Sequence, residues 1–243
     1  MSALGHYIEE EGIPTVAISL IRAQTENTKP PRALWVPFEL GRPFGPPNDP
    51  AFQKRVVLAA LRLLEREHGP VVIEDFPEDD PRERPDPRWR PPFIDAVVRD
   101  GSAAGLADQL ETEIAKLEAA YRHSVDARKR TIIGLSGLPI GAAGAYIAGW
   151  LRGEPQDSPS PEMSAVLTLR FAVDDVKAYY IEAALDGSGK PSSKQLGDWF
   201  WDETAAGAAI FALRRIYTAS EDERLKMIAE RFLVPGVRAL SRG

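Results

Sequence analysis

The chain has 243 residues, 30 lysines and arginines against 36 aspartates and glutamates, a net charge of −6, and no cysteine. That length suffices for one large domain or two small ones. The missing thiols exclude disulfides, thiolate metal sites, cysteine nucleophiles and CxxC redox chemistry within this polypeptide. An acidic balance with dispersed basic residues gives no nucleic-acid groove.

The opening MSALGHYIEEEG lacks the apolar core of a secretory leader, so the cytoplasm is the default location. His6–Glu11 reads as a helix end stopped by Gly12. Two short apolar runs follow, Pro14–Ile21 and Ala33–Phe38, joined by the polar spacer Arg22–Pro31. Their β-branched and aromatic content and flanking turn residues predict two strands. The proline- and glycine-rich loop Glu39–Asp49 comes next, with Glu39, Arg42 and Asn48 as its polar side chains. A stiff loop between a strand and a helix is a usual place for ligand chemistry in α/β proteins. Arg42 suits a carboxylate and Glu39 an amine, so Glu39, Arg42 and Asn48 are candidate ligand contacts. Asp49 then serves as N-cap and Pro50 as N1 of a helix whose apolar stripe is Phe52, Val56, Ala59, Ala60, Leu63 and Leu64. Val71–Phe76 is a third strand, completing a small α/β unit over residues 1–76.

Pro77–Pro92, PEDDPRERPDPRWRPP, reads as a linker, or as an arm with Trp89 anchored on a partner. From Phe93 to Gly243 the pattern is mainly α-helical. Leu106, Leu110, Ile114, Leu117 and Tyr121 recur at three and four residues. Thr131–Leu151 is uncharged and long enough for a membrane span, but Pro139 and its glycines interrupt it. Gly137, Gly141, Ala145 and Gly149 fall four apart, giving either a tightly packed central helix or a face that pairs copies of the chain. Helix starts are expected at Ser160-Pro161-Glu162, Ser192–Gln195 and Ser220–Glu223.

Read as one helix, Ser193–Thr218 clusters Leu196, Trp199, Phe200, Gly207 and Ile210, with Glu203 in the middle of that face. A carboxylate so placed must be paired, hydrogen-bonded or protonated. Arg170 and Lys177 flank the apolar stripe of the preceding helix and supply matching cations. Glu203 is therefore either a structural ion-pair partner or a general base, with Arg170, Lys177, Tyr180 and Trp199 lining a pocket beside Trp201 and Tyr179. The three histidines, His6, His68 and His123, lack metal-ligand spacing, and Asp174-Asp175 and Asp198/Asp202 have no companion histidine. No phosphate-binding loop, dinucleotide fingerprint or nucleophile elbow is present, so no cofactor is expected.

The order Gly12-x-Pro14, strand, then Leu40-Gly41-x-Pro43 resembles the C-terminal part of protein B of the glycine/betaine/sarcosine/D-proline reductase family. The similarity spans about a quarter of the chain, Glu10–Leu64. Family members cleave a C–N bond reductively with a Cys-x-x-Sec or Cys centre, in complexes with a pyruvoyl-bearing partner. This chain has no such centre. The resemblance thus implies a partner or substrate-binding subunit of a reductase-like complex, with a redox-active protein partner and a small amino-acid-like ligand. Two other readings stand beside it: a stand-alone enzyme or binding protein built around Glu203, and an assembly protein pairing through the glycine-faced helix into a homo-oligomer.

Overall fold

The computed structural model describes residues 2–66, 69, 71–92, 101–187 and 189–240. His68 lies outside the described residues, as do residues 93–100 at the expected start of the helical half. The chain forms two compact units, Met1–Arg84 and Pro85–Gly243.

The first unit is a small α/β layer. Helix α1 (Ser2–Glu10) precedes strand β1 (Ala17–Ser19), helix α2 (Arg22–Thr28) and strand β2 (Arg32–Trp35). Helix α3 (Pro50–Arg62) and strand β3 (Val72–Asp75) follow. The strands lie side by side, all parallel, in the order β1-β2-β3, with Ala17 opposite Ala33 and Ala33 opposite Ile73. β1 is shorter than the apolar run that encodes it. Thr15 gives its N–H and its hydroxyl to the carboxylate of Glu9, so the start of the run is tied to α1 rather than to a neighbouring strand. Arg32 at the head of β2 donates to the same carboxylate at 2.6 Å.

α3 begins as its sequence directs. Asp49 accepts from the Phe52 N–H at 3.0 Å, and Pro50 takes the first turn. Leu34, Val36, Phe38, Phe52, Val56, Ala60, Leu63 and Phe76 form the core. Phe38, Phe52 and Phe76 meet pairwise at 5.5–6.0 Å in tilted and edge-to-face arrangements. Gly45 is needed beside them: it has φ +81°, and a Cβ there would stand 2.4 Å from the Phe52 ring.

The second unit is helical: α4 (Ala103–Arg128), α5 (Ile140–Arg152), α6 (Ala165–Ala184), α7 (Ser193–Glu203), α8 (Ala205–Tyr217), α9 (Glu223–Arg231) and α10 (Gly236–Leu240). The expected stripe of α4 is buried through Leu106, Leu110, Ile114 and Leu117, with Tyr121 partly buried against the same core. Two helix starts differ from expectation. Residues 160–163 form a turn, and Ser164 caps α6 by accepting from Leu167. Asp222, rather than Ser220, caps α9 by accepting from Arg224 and Leu225. The Ser192/Gln195 capping box on α7 forms as read.

Pro77–Pro92 is divided between the units. Pro81–Glu83 makes a 3₁₀ turn in the first. In the second, the Gln195 amide bridges to the backbone of Asp86, and Trp89 is buried with its indole N–H on the Ala184 carbonyl at 3.2 Å. The anchor role expected of Trp89 on a partner is thus spent on the chain's own helical core. Thr131–Leu151 is not one helix: residues 130–139 are a loop and α5 has only 13 residues. Among the described residues no helix is long and apolar enough to cross a membrane.

Candidate functional site

In an open parallel sheet, ligands bind beyond the carboxyl ends of the strands. At that end of β1 lies a cavity of about 710 Å³. Ser19 ends the strand, Ile18 and Leu20 flank it, and the chain then turns into α2. Gln24, Thr25 and Thr28 of α2 form one wall, His6 of α1 another, and Leu40 lies on the rim.

The hydroxyls here are held in place. Thr25 donates to the Ile21 carbonyl at 2.9 Å and contacts the Ser19 hydroxyl. Thr28 donates to the Gln24 carbonyl at 2.8 Å. His6 Nε2 lies 2.8 Å from the Lys29 carbonyl, which can only accept. Nε2 therefore carries the proton and a neutral ring keeps Nδ1 as an acceptor. The lining holds no formally charged side chain apart from this titratable ring. Such a surface suits a small, net-neutral polar molecule with an apolar part.

The Glu39–Asp49 loop places its candidates differently from the expectation of a ligand clamp. Arg42 faces Glu39 at 3.6 Å and Glu83 at 3.9 Å. Burial raises the pKa of Glu83, and the neighbouring charges of Glu39 and Asp80 push it further up while Arg42 pulls it down. Glu39 and Arg42 are thus brought together, but as partners of each other. Asn48 is exposed with φ +61°, a conformation Asn tolerates better than most residues. Its role is to turn the chain into the Asp49 cap.

In the helical unit Glu203 is not brought into the expected pocket with its partners among the described residues. The helix breaks at Thr204, which is extended at φ −110° and ψ 151°. Its hydroxyl donates to the Phe200 carbonyl at 2.7 Å and accepts from the Gly207 N–H at 3.0 Å, so it ends α7 and caps α8 at once. The 100° progression is interrupted there, and Glu203 emerges exposed. Arg170 and Lys177 instead share Asp174, one turn along α6, at 3.9 and 3.3 Å. Arg170 also stacks over Phe232 at 4.1 Å, and Lys177 reaches the Phe232 carbonyl at 3.4 Å. Tyr180 and Trp199 are buried and pack at 6.1 Å, as core rather than pocket wall.

The buried carboxylates lie elsewhere. Glu113 on α4 accepts from the Ala205 N–H at 2.8 and 2.9 Å and from the Tyr180 hydroxyl at 2.9 Å. It is a negative charge at the N-terminus of α8, where the helix dipole favours it. Asp175 on α6 accepts from the N–H groups of Gly134, Leu135 and Ser136 at 2.8–3.0 Å and from the Ser136 hydroxyl at 2.6 Å. Glu182 takes the Thr131 hydroxyl and the Ile132 N–H at 2.8 and 3.0 Å. These oxygens are occupied by the protein's own donors, which makes all three structural. Glu113 had a signal in the sequence: it stands three residues after Leu110 and four before Leu117, inside the apolar stripe. Among the described residues no cluster of three or more histidines and carboxylates is arranged to hold a metal.

Comparison with protein-family models, with curated proteins and with solved structures finds no match to the chain.

Proposed function

We propose that the protein binds a small amino-acid-like molecule in its N-terminal α/β unit and serves a reductase-like complex as a partner or substrate-binding subunit. The observation that carries this reading is the cavity at the carboxyl end of β1, with Leu40 on its rim. Leu40 leads the Leu-Gly-x-Pro loop on which the family resemblance rests. The Gln24 amide can donate to a carboxylate, while the Thr25 and Thr28 hydroxyl oxygens, whose protons lie on backbone carbonyls, and His6 Nδ1 can accept from an amine. The apolar walls Ile18 and Leu20 accommodate methyl or ring carbons. With no cysteine, the electrons for any reductive cleavage come from another subunit carrying a thiol or selenol. The same reading puts the protein in the reducing cytoplasm.

Capture of the tagged chain from its host, followed by native mass spectrometry, tests this. A stoichiometric cysteine- or selenocysteine-bearing partner is the expected result. A lone chain with neither partner nor retained amino-acid-like molecule contradicts it.

A further inference from the structure

The helical unit carries a second cavity, of about 430 Å³, independent of the N-terminal site. Its floor is apolar: Leu106 from α4, and Ala208, Phe211 and Ala212 from α8. Its polar edge is Arg214 and Arg215, in the last turn of α8, with Thr218 beyond them. Cations at a helix C-terminus are favoured by the dipole, which accounts for positive charge there. It does not account for the geometry. In a protein with more acidic than basic side chains, neither arginine forms an ion pair among the described residues, whereas Arg152 in the same unit holds two carboxylates. Arg214 Nε is buried and has no hydrogen-bond partner among the described residues. A buried donor without an acceptor is unfavourable unless something supplies one.

We propose that this cleft binds an amphipathic anion: a carboxylate or phosphate head held by Arg214 and Arg215, with an apolar tail over Leu106, Ala208 and Phe211. The guanidinium fork matches either oxyanion, and the apolar floor selects against bare inorganic ions. Both the volume and the lining, mostly apolar with a few convergent polar groups, are those of a small-molecule site.

Isothermal titration of the full chain with octanoate and with octyl phosphate tests the proposal. Octanol serves as the tail-only control, and acetate and inorganic phosphate as head-only controls. At least one of the two amphiphiles binds, more tightly than octanol and than its own head group, and the tighter of the two identifies the head. Rising salt weakens binding. Arg214→Gln and Arg215→Gln each weaken it by about tenfold, the loss of roughly one charge-assisted hydrogen bond. Circular dichroism checks that both variants remain folded. Failure of both amphiphiles to bind overturns the proposal. So does octanol binding as tightly as the better of the two amphiphiles, or affinity unchanged in both Arg214→Gln and Arg215→Gln.

Discussion

Asp175 and Glu182 stand seven residues apart on α6, two turns along one face, and hold the same loop. Asp175 collects three consecutive N–H groups from residues 134–136, and Glu182 takes the Ile132 N–H and the Thr131 hydroxyl. The glycine-rich segment that lacks every phosphate-binding signature does bind an anion, but that anion is part of the protein. Asp175→Asn replaces one acceptor oxygen by a donor facing N–H groups. It is expected to lower stability by about 3 kcal/mol, read from denaturant unfolding.

Glu113 and Glu203 make a matched pair of tests. Glu113→Ala leaves the α8 N-terminus and the Tyr180 hydroxyl without their buried acceptor, at a cost of about 3 kcal/mol. Glu203→Gln, on an exposed position, changes stability by less than about 0.5 kcal/mol. Comparable losses in both variants would show that α7 and α8 are one helix with Glu203 inside.

Gly207 sits where α7 and α8 meet, and an added Cβ would stand 2.3 Å from the Phe200 carbonyl and 3.0 Å from the Trp201 Cα. Backbone cannot step aside as a side chain can. Gly207→Ala is therefore expected to destabilise by about 2–3 kcal/mol. Gly141→Ala, with open space around it, is expected to be neutral or stabilising by up to about 1 kcal/mol. Thermal melting of the two variants separates these outcomes.

Glu9 ties α1 to the start of β1 and the head of β2. Burial pushes its pKa up, but the Thr15 and Arg32 hydrogen bonds outweigh this and hold it below the ordinary carboxyl value of 4.5. The folded state thus binds the proton less readily than the unfolded state. The contribution is complete above the unfolded value and is lost as pH falls through the folded one. Glu9→Gln lowers stability by about 1–2 kcal/mol at neutral pH, and the difference from the parent shrinks below about pH 4.

Lys177 also has a lowered pKa, but because burial disfavours its charge rather than because hydrogen bonds stabilise it. Burial lowers its pKa from 10.5, only partly offset by Asp174. Between the folded and unfolded values the unfolded chain holds the proton and the folded chain has released it, so stability rises with pH across that window. Subtracting the unfolding profile of Lys177→Met from that of the parent should isolate a positive slope on the alkaline side, ending near the unfolded value of about 10.5. A flat difference would mean the ammonium is fully solvated.

The fold was legible where local chemistry and pattern agreed. Asp49-Pro50, the Ser192/Gln195 box and the apolar runs around Ala17 and Leu34 each encode their element locally. What escaped depended on choices between neighbouring signals. Thr204 reads as an ordinary helix residue until its hydroxyl is seen capping α8, and that single break moves Glu203 from the core to the surface. Arg170 and Lys177 found Asp174 within their own helix, a local partner that forestalls one on another helix. The hydroxyl-lined cavity draws on α1, β1, α2 and the loop at Leu40, which only the assembled sheet brings together.

Ligand binding to the N-terminal unit is the central claim, and isothermal titration of the whole chain with glycine betaine, sarcosine and D-proline tests it most directly. Binding of at least one, weakened about tenfold or more by Thr25→Val and left unchanged by Arg214→Gln, is the result the cavity beyond β1 predicts. No heat from any of the three, or a response indifferent to Thr25, contradicts it.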